Sequence, residues 1–423
     1  MKKWENNIIS YLNNDISDEE LLSFKKKRLL EVFSYTKENS KFYKKKFKEI
    51  ELSQTDTFNS LKTLPFTTKR ELRDASLDIC CMSLDKVEVY YETTGTTGPT
   101  TPCPRSKLDV ICSGAYVKNA LEKIYKERFG DTNALTAIMG PSELYAFGDT
   151  YGNICKELSI PYVKLWPESP RVGLVKASKL IRDLEIKVLI CSPAIALSLA
   201  RYYKSINISL SDLKVKQILL LGELCTKEML NNISSLWSCN CTHGLYGSQE
   251  VHTLATGDSR GNLNISDTNY IFELIPIKNF DSKKIGELCV TMLVPGAKPL
   301  IRFKTGDVVE IHNDKSLEVL GRKSDIIKIN SHEYLPADIE KAILREIKML
   351  YGYAVSIYND CLKVDIISPL KSIDLEKTRK ALSNYFGIEV YFNIVTELDE
   401  QTEKGAYVSW KYARIKDYRN EQF

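Results

Sequence analysis

The stretch from residue 135 to residue 225 constrains the fold most, because short apolar segments alternate there with segments of helical pattern. The predicted strands span 187–191 and 217–221. The predicted helices span 176–184 and 194–203. Strands that alternate with helices are typical of βαβ units, in which parallel strands are covered by helices. This pattern predicts an α/β fold with mostly parallel sheets.

The chain on either side of this stretch differs in character. At 423 residues it is too long for one ordinary core, so more than one packed unit is expected. The first part is rich in Leu, Lys and Glu and predicts helices, and Thr67 or Thr68 is expected to cap the helix that starts near Arg70. The last part predicts a helix, a hairpin turning at Asn359–Asp360, a second helix and a strand. We therefore expect a large N-terminal α/β domain over 1–322 and a small, mobile C-terminal α+β domain over 323–423.

Charge and cysteine usage exclude several classes of protein. The net charge of +4 is too small to indicate a nucleic-acid partner. The basic runs 25–28 and 44–46 have two interpretations, a solvated helix face or a dock for an acidic carrier protein. No signal peptide is visible, and the best apolar run, 188–200, is too short to cross a membrane and is broken by Pro193. The eleven cysteines lack the spacing of a small disulfide scaffold, which predicts reduced thiols and a cytoplasmic location.

A loop rich in glycine and threonine follows a predicted strand over 87–91. Since glycine has no Cβ, backbone amides in such a loop can approach phosphate oxygens, and threonine hydroxyls add further donors. The loop is not a Walker A loop, because no Gly-Lys-Ser/Thr follows, and a plain surface turn is the alternative. The candidate phosphate-binding residues are Thr93, Thr94, Gly95, Thr96, Thr97 and Gly98.

Further segments accompany this loop in a fixed order. They are Leu64-Pro-Phe-Thr-Thr-Lys69, the apolar stretch 187–200, Tyr246-Gly-Ser-Gln-Glu250, Arg302-Phe-Lys-Thr-Gly-Asp307 and Gly321-Arg322. Together they resemble the adenylate-forming superfamily of acyl-CoA synthetases, adenylation domains and luciferases. The phenylacetate–CoA ligase family is the most similar branch, and the resemblance covers nearly the whole chain.

The resemblance implies an ATP site with Mg²⁺. Tyr246 and Gly247 would seat the adenine, and Glu250 would hold the metal ion, since a hard cation prefers oxygen ligands. Gly222 and Glu223 resemble a second turn that contacts adenine; a simple turn at a strand end is the alternative.

The resemblance also implies roles nearer the C-terminus. Asp307 would accept hydrogen bonds from both ribose hydroxyls, as an ionised carboxylate can. Arg322 lies in the segment that resembles the interdomain hinge, and it would contact ribose or phosphate. Lys411 matches the spacing of the family's catalytic lysine, with Lys404 as the second candidate and a surface lysine as a third interpretation. A cation there would stabilise the charge that grows on the α-phosphate.

The sequence departs from the family pattern at four positions. A lysine is missing between Gly98 and Pro99, so the expected contact with the β- and γ-phosphates is weakened. Gln249 stands where a hydroxyl residue is usual, Ser324 occupies the hinge position, and Trp410 replaces a glycine before the predicted lysine. These departures support a degenerate, non-catalytic nucleotide- or acyl-binding protein as the alternative function.

The segment 145–151 resembles the family's acyl-binding segment, and it predicts Tyr145, Phe147, Gly148 and Asp149 as substrate-binding residues. Aromatic side chains with small neighbours favour an aryl acid over a long fatty chain. Asp149 would pair with the amine of an amino acid, or would serve only as a polar helix cap.

The cysteines and histidines predict no metal site beyond that for Mg²⁺. Cys239, Cys241, His243 and His252 are close in sequence, but Cys-x-Cys-x-His is not a usual zinc spacing, so we expect no zinc. Cys361 is a candidate acyl acceptor, as in acyl-protein synthetases related to this family, although a structural cysteine is the simpler interpretation.

The sequence as a whole predicts an ATP-dependent acid–thiol ligase that releases AMP and pyrophosphate. The acyl group would pass to coenzyme A or to the thiol of a carrier protein. The sequence does not identify the acid, the acceptor or the oligomeric state.

Overall fold

The computed structural model describes residues 2–93, 99–278, 280, 284–368, 374–398 and 414–419. The N-terminal helices are α1 (Lys2–Leu12), α2 (Asp18–Asn39), α3 (Lys41–Lys46), α4 (Thr57–Thr63) and α5 (Lys69–Ala75). Thr68 caps α5: its hydroxyl accepts a hydrogen bond from the Glu71 N–H, and the Glu71 carboxylate accepts one from the Thr68 N–H at 2.9 Å. The predicted cap is therefore confirmed at Thr68.

A hairpin and a long helix follow. Strands β1 (Val89–Glu92) and β2 (Pro102–Arg105) pair antiparallel, and α6 (Lys107–Phe129) begins directly after β2. The Ser106 hydroxyl accepts from the Asp109 N–H, and Asp109 accepts from the Ser106 N–H, so a second capping box begins α6.

The predicted βαβ region forms a five-stranded parallel sheet in the order β4-β3-β5-β6-β7. Its strands are β3 (Thr136–Ile138), β4 (Tyr162–Lys164), β5 (Val188–Cys191), β6 (Gln217–Leu220) and β7 (Asn240–His243). Its helices are α7 (Ala146–Glu157), α8 (Gly173–Asp183), α9 (Pro193–Ser205) and α10 (Lys227–Trp237). Strands β5 and β6 are buried along their whole length, which explains their continuous apolar character. The predicted α/β fold class is confirmed.

The largest sheet is antiparallel and was not anticipated. It has seven strands in the order β11-β12-β13-β14-β10-β9-β8. They are β8 (Leu245–Ser248), β9 (His252–Gly257), β10 (Leu263–Ile265), β11 (Tyr270–Ile275), β12 (Ile285–Met292), β13 (Phe303–Ile311) and β14 (Ser316–Arg322).

Among the described residues from 323 onward, which we call the C-terminal part, the composition is α+β, as predicted. Its elements are β15 (Ile327–Ile329), β16 (His332–Tyr334), α11 (Pro336–Glu346), β17 (Gly352–Ile357), β18 (Cys361–Ile367), α12 (Leu375–Phe386), β19 (Glu389–Ile394) and β20 (Ile415–Asp417). A four-stranded mixed sheet runs in the order β19-β18-β17-β20. Gly321 at the entrance to this part has a φ of +130°, and a Cβ there would lie 2.6 Å from Cδ of Pro336. Only glycine fits this close approach.

The C-terminal part packs on the parallel sheet through α10 and α11. Met229 and Ile233 of α10 and Ile343 of α11 belong to one continuous apolar cluster. We call this contact between α10 and the C-terminal part the junction. Within the described ranges, no helix is both long enough and apolar enough to span a membrane.

Candidate active site

Tyr246, Asp307 and Arg322 come together although they lie on different strands. The Tyr246 hydroxyl donates to Asp307 Oδ2 at 2.8 Å, and Arg322 Nε lies 3.9 Å from Asp307 Oδ1. Asp307 and Arg322 are register partners on β13 and β14. In a flat sheet, the four strand spacings from β13 to β8 would separate Tyr246 from Asp307 by about 19 Å. The hydrogen bond therefore requires the sheet to curl, and the curl closes this part of the site.

The turn that carries Asp307 is held in one conformation. Gly306 has a φ of +79°, a left-handed conformation that favours glycine. The Asp307 N–H donates to Thr305 Oγ1 at 3.1 Å, and the Thr305 hydroxyl donates to the Leu288 carbonyl at 2.9 Å. The carboxylate of Asp307 is thus fixed by its own turn as well as by Tyr246.

Glu250 is buried, with 8% of its surface exposed. Burial opposes its ionisation, but the charge of Lys69, a hydrogen bond from Ser248 and the charge of Lys298 outweigh it and hold the pKa of Glu250 below its usual value. Glu250 is therefore ionised at neutral pH. An ionised, buried carboxylate can bind a hard metal ion, and the two neighbouring cations can bind an anion. The site is therefore suited to a metal ion and an anion that bind together.

Lys69 reaches this site from a remote segment. Thr67 forms a β-bridge with Phe303: its N–H donates to the Arg302 carbonyl, and its own carbonyl accepts from the Lys304 N–H, both at 2.9 Å. The bridge places Lys69 beside the Asp307 turn, where its Nζ would lie 3.8 Å from a Cβ at Gly306. The charge of Lys69 also acts on Glu250, so Lys69 lies near both Glu250 and the turn of Asp307.

Two more buried cations, Lys298 and Arg105, lie near Glu250. Lys298 Nζ donates to the Pro102 carbonyl at 2.7 Å and contacts Cys103 Sγ at 3.3 Å. Arg105 Nη2 donates to Gln249 Oε1 at 3.3 Å, so the residue that departs from the family pattern is an acceptor for a buried guanidinium.

The Gly/Thr loop is described only at its base. The Thr93 N–H donates to the Thr101 carbonyl at 3.1 Å, and the Thr93 hydroxyl accepts from the Thr101 N–H at 2.9 Å, so the hairpin of β1 and β2 continues to the loop. Of the predicted loop residues, Thr94, Gly95, Thr96, Thr97 and Gly98 lie outside the described residues, as do Lys404 and Lys411.

The predicted acyl-binding segment forms the start of α7. Tyr145 precedes the helix, Phe147 packs on Gly140, and the Gly148 N–H donates to the Pro141 carbonyl at 2.9 Å. Asp149 is not the helix cap; its carboxylate accepts from Lys164 at 2.9 Å and from the Tyr91 hydroxyl at 3.2 Å.

Tyr145 and Phe147 are half-buried, but Tyr151, in the same segment, is only 1% exposed and belongs to the core. The hydroxyl of Tyr151 faces Gly244, where a Cβ would lie 2.6 Å from it.

The turn at Gly222 and Glu223 is in contact with the C-terminal part. Arg414 Nη2 donates to Glu223 Oε2 at 2.8 Å, and the Ala194 N–H donates to the same oxygen at 3.3 Å. Burial raises the pKa of Glu223 to about 7, although the charge of Arg414 opposes the rise. The side chain of Glu223 therefore serves the junction, and an adenine at this turn would meet its backbone.

Sequence reasoning missed the role of Lys69, although Lys69 was part of a recognised segment. One signal points to it. Lys69 is the first residue of α5, and a cation is unfavourable at a helix N-terminus because the helix dipole is positive there. An anion nearby stabilises a lysine at this position: Glu71 lies in the same first turn, and the charge of Lys69 also acts on Glu250.

The basic runs of the N-terminal helices are not free surface patches. Lys25 pairs with Asp267, Arg28 pairs with Glu31 and stacks over the Trp4 ring, and Lys46 donates to Glu71 at 2.6 Å. The solvated face is therefore wrong for these three side chains. The remaining lysines of the runs are more exposed, and the dock for an acidic partner stays a prediction.

The cysteines and histidines considered for zinc or acyl transfer occupy ordinary positions. Cys239 precedes β7, which carries Cys241 and His243, and His252 begins β9. Cys361 is half-buried on β18, where partial burial and the nearby Asp360 raise its pKa, which disfavours a thiolate. Among the described residues, one group with metal-ligand geometry is found, formed by Glu310, His312 and Glu318, away from the predicted zinc residues.

No protein-family model matches the chain. The chain is similar to phenylacetate-coenzyme A ligase of Thermus thermophilus, with 22% identity over 380 residues, covering 83% of this chain and 82% of that protein. Its structure is similar to that of 2-hydroxyisobutyryl-CoA ligase in complex with 2-HIB-AMP in the postadenylation state, with a TM-score of 0.77 and 15% identity, covering 93% of this chain and 88% of that one.

The same ligase in its thioesterification state, with 2-HIB-AMP and CoA, gives a TM-score of 0.65 at 16% identity, covering 96% of this chain and 91% of that one. Both likenesses show that the chain has the fold of these ligases.

Proposed function

We propose, given that the chain belongs to the adenylate-forming acyl-CoA ligase superfamily, that it uses ATP to activate a carboxylic acid as an acyl-AMP and then transfers the acyl group to a thiol. The observation that supports this most is the grouping of Tyr246, Asp307 and Arg322, with Lys69 next to the turn of Asp307 and its charge acting on Glu250. This arrangement offers one end for a ribose and another for phosphates.

At the ribose end, Asp307 accepts hydrogen bonds from the ribose hydroxyls, and Arg322 contacts ribose or phosphate. Tyr246 holds Asp307 in place and, with Gly247 and the backbone at Gly222, borders the adenine. A half-buried carboxylate that is already oriented binds the ribose without loss of its own side-chain freedom.

At the phosphate end, Lys69 supplies the positive charge that the Gly/Thr loop lacks, because no lysine stands between Gly98 and Pro99. Glu250 holds Mg²⁺, since it is ionised and its oxygens are the ligands that this ion prefers. When bound, Mg²⁺ neutralises phosphate charge. The neighbouring Lys69 and Lys298 disfavour a lone cation there, so metal and nucleotide are expected to bind together.

In the first step, a substrate carboxylate oxygen attacks the α-phosphorus, a new P–O bond forms, and the bond to pyrophosphate breaks. Lys411 is proposed to stabilise the negative charge that develops on the α-phosphate, with Lys404 as the second candidate. In the second step, a thiolate attacks the acyl carbon, and AMP leaves with the C–O bond electrons. We also propose that residues 1–322 and 323–423 are the two domains that alternate between these steps.

We propose that the acid is an aryl acid with no charged group besides its carboxylate, rather than an amino acid. The carboxylate of Asp149 already has Lys164 and the Tyr91 hydroxyl as partners, so a substrate amine would have to displace them. Coenzyme A is the favoured acceptor, as the names of the relatives suggest. A carrier protein is the second candidate. The internal pairing of Lys25, Arg28 and Lys46 weakens the argument that the basic runs dock such a protein.

Pyrophosphate exchange into ATP, measured over a panel of aryl, aliphatic and amino acids, tests the first step. We expect exchange with at least one aryl acid, and its loss in Lys411→Ala. The product acyl-AMP is then offered to coenzyme A and to a phosphopantetheine carrier protein, and thioester formation is measured. ATP binding by calorimetry without exchange on any acid would instead support a non-catalytic binding protein.

A further inference from the structure

One turn of the N-terminal part carries contacts to the C-terminal part. Glu223 is paired with Arg414 at 2.8 Å, and their side chains are 5% and 12% exposed. Three residues later, Thr226 caps α10, and its N–H and hydroxyl donate to Glu340 Oε1 at 2.9 and 2.8 Å. The turn from Gly222 to Thr226 is therefore attached to the C-terminal part at both ends.

Glu340 and Arg414 complete a single buried group. Glu340 of α11 is fully buried, and its second oxygen accepts from the Tyr353 hydroxyl at 2.8 Å and from Arg414 Nη1. Arg414 Nη1 also donates to the Leu224 carbonyl at 3.3 Å. One guanidinium thus bridges a carboxylate from each part of the chain. We call Glu223, Arg414 and Glu340 the latch.

The side chain of Arg414 is not needed to hold its own strand. The Arg414 carbonyl accepts from the Val355 N–H at 2.8 Å, and β20 continues this pairing with β17. The main chain is therefore anchored within the C-terminal part, and the guanidinium is available to cross the junction. A contact of this kind can be broken without unfolding either part.

We propose that the latch holds the C-terminal part in the arrangement for acyl-AMP formation and must open before the thiol step, with Arg414 as a positioning residue. This inference rests on the proposed function. The turn that holds Arg414 is also the turn proposed to border the adenine, so occupancy of the nucleotide site is coupled directly to the position of the C-terminal part.

The physical basis is the cost of separating a buried pair. When one partner of a buried ion pair is withdrawn, the other is left as an unpaired buried charge, which is strongly unfavourable. The latch therefore favours the arrangement of this structure, in which Arg414 contacts Glu223, and we call it the closed arrangement. When the C-terminal part swings away, Arg414 keeps Glu340 as a partner because both lie in that part, and Glu223 is the group left without Arg414.

The test compares two substitutions on the same face of the junction. Glu223→Gln removes the latch charge from the N-terminal side and leaves the C-terminal part unchanged. Glu228→Gln is the matched control, since Glu228 of α10 pairs with Arg345 of α11 at 2.9 Å across the same junction but outside the turn. Both half-reactions are measured: pyrophosphate exchange, and thioester formation from supplied acyl-AMP.

We expect Glu223→Gln to slow exchange by about 10-fold or more, the effect of losing about 1.4 kcal/mol or more of preference for the closed arrangement. Thioester formation should be slowed much less or accelerated, so the ratio of the two rates changes. Glu228→Gln should leave that ratio within about 2-fold of the wild type. Arg414→Lys, which keeps the charge, should retain more exchange activity than Arg414→Gln.

Small-angle scattering adds a readout that does not depend on activity. The nucleotide-free Glu223→Gln variant should have a larger radius of gyration than the wild type and Glu228→Gln. Equal loss of both half-reactions, with an unchanged scattering profile, would overturn the latch. If the wild type shows no exchange on any acid, the proposed function fails, while the scattering comparison still decides whether the latch closes the junction.

Discussion

The two ends of the candidate site are built in different ways. At the ribose end, Tyr246, Asp307 and Arg322 come from motifs that the sequence displays, and two of them are direct neighbours across β13 and β14. At the phosphate end, Glu250 and Lys69 also lie in displayed segments, but no spacing in the sequence relates one to the other. The cations of this end, Lys69 and Lys298, come from segments far from Glu250 in the sequence.

This difference follows from what each end is proposed to bind. A ribose needs one oriented acceptor, and a short turn with a glycine at positive φ can supply it. A triphosphate carries several charges and needs cations from more than one direction. Cations gathered from separate segments leave no local spacing in the sequence, and so the ribose end is the more predictable of the two.

The largest expected effect is at the phosphate end. Lys69→Met should lower the rate of pyrophosphate exchange by about 10²–10³, the order found when one preorganised positive group is removed from a site of developing charge. Lys45→Met, on an exposed lysine of α3, is the matched control and should retain wild-type exchange. Steady-state exchange over a range of ATP concentrations separates the effect on kcat from that on KM.

The same variant has a second signature in its pH profile. The charge of Lys69 helps to hold the pKa of Glu250 below its usual value, so its removal raises that pKa. As the pH is lowered, the variant should therefore lose the activity that needs ionised Glu250 at a higher pH than the wild type does. Lys69→Arg keeps the charge and should keep the wild-type acid limb. Full activity in Lys69→Met would remove Lys69 from the phosphate end.

A smaller effect is expected at the ribose end. Asp307→Ala should raise the KM for ATP by about 10- to 100-fold, because hydrogen bonds to a charged acceptor contribute about 1.5–3 kcal/mol each. Tyr246→Phe removes only the donor that orients Asp307, and a rise of a few-fold is expected. The use of 2′-deoxy-ATP checks the assignment: if Asp307 binds the ribose, the wild type discriminates against it and Asp307→Ala does so much less.

Much of the scaffold is predictable because its signals are local. The predicted strands at 187–191 and 217–221 differ from β5 and β6 by one residue, since short, fully buried runs end where polar residues begin. The hairpin at Asn359–Asp360 and the helices on either side of it follow equally local patterns. Thr68 caps its helix as its residue type and position indicate.

Two strands of the seven-stranded sheet, β9 and β12, lack the pattern that identifies an antiparallel strand, which contributed to its being missed. All residues of β9 are buried, and β12 is buried from Gly286 to Met292. Alternation of apolar and polar residues is the signal for a strand with one face in water, and these strands have no such face. The charge pairs were missed for a related reason: Lys25 meets Asp267 and Arg414 meets Glu223, across separations that no sequence window covers.

The smallest predicted effect is on the free energy of unfolding. It tests whether the phosphate end carries an excess of positive charge. His252 is buried, and burial together with the charges of Arg105 and Lys298 holds its pKa well below its usual value. The folded state therefore keeps His252 neutral, whereas the unfolded chain takes up a proton near pH 6.5. Above that pH, His252 is neutral in both states and does not lower the free energy of unfolding. Below it, the free energy of unfolding falls as the pH falls, by up to about 1.4 kcal/mol per pH unit.

Urea unfolding between pH 7.5 and 5.5 should show this slope in the wild type and a smaller one in His252→Asn. Asparagine is chosen because His252 has a φ of +60°, which asparagine tolerates better than most residues. His332→Asn, at an exposed histidine, is the matched control and should retain the wild-type slope. Magnesium pyrophosphate should reduce the slope in the wild type, because a bound anion offsets Arg105 and Lys298. An equal slope in all three proteins, unaffected by pyrophosphate, would contradict an uncompensated positive charge at this end of the site.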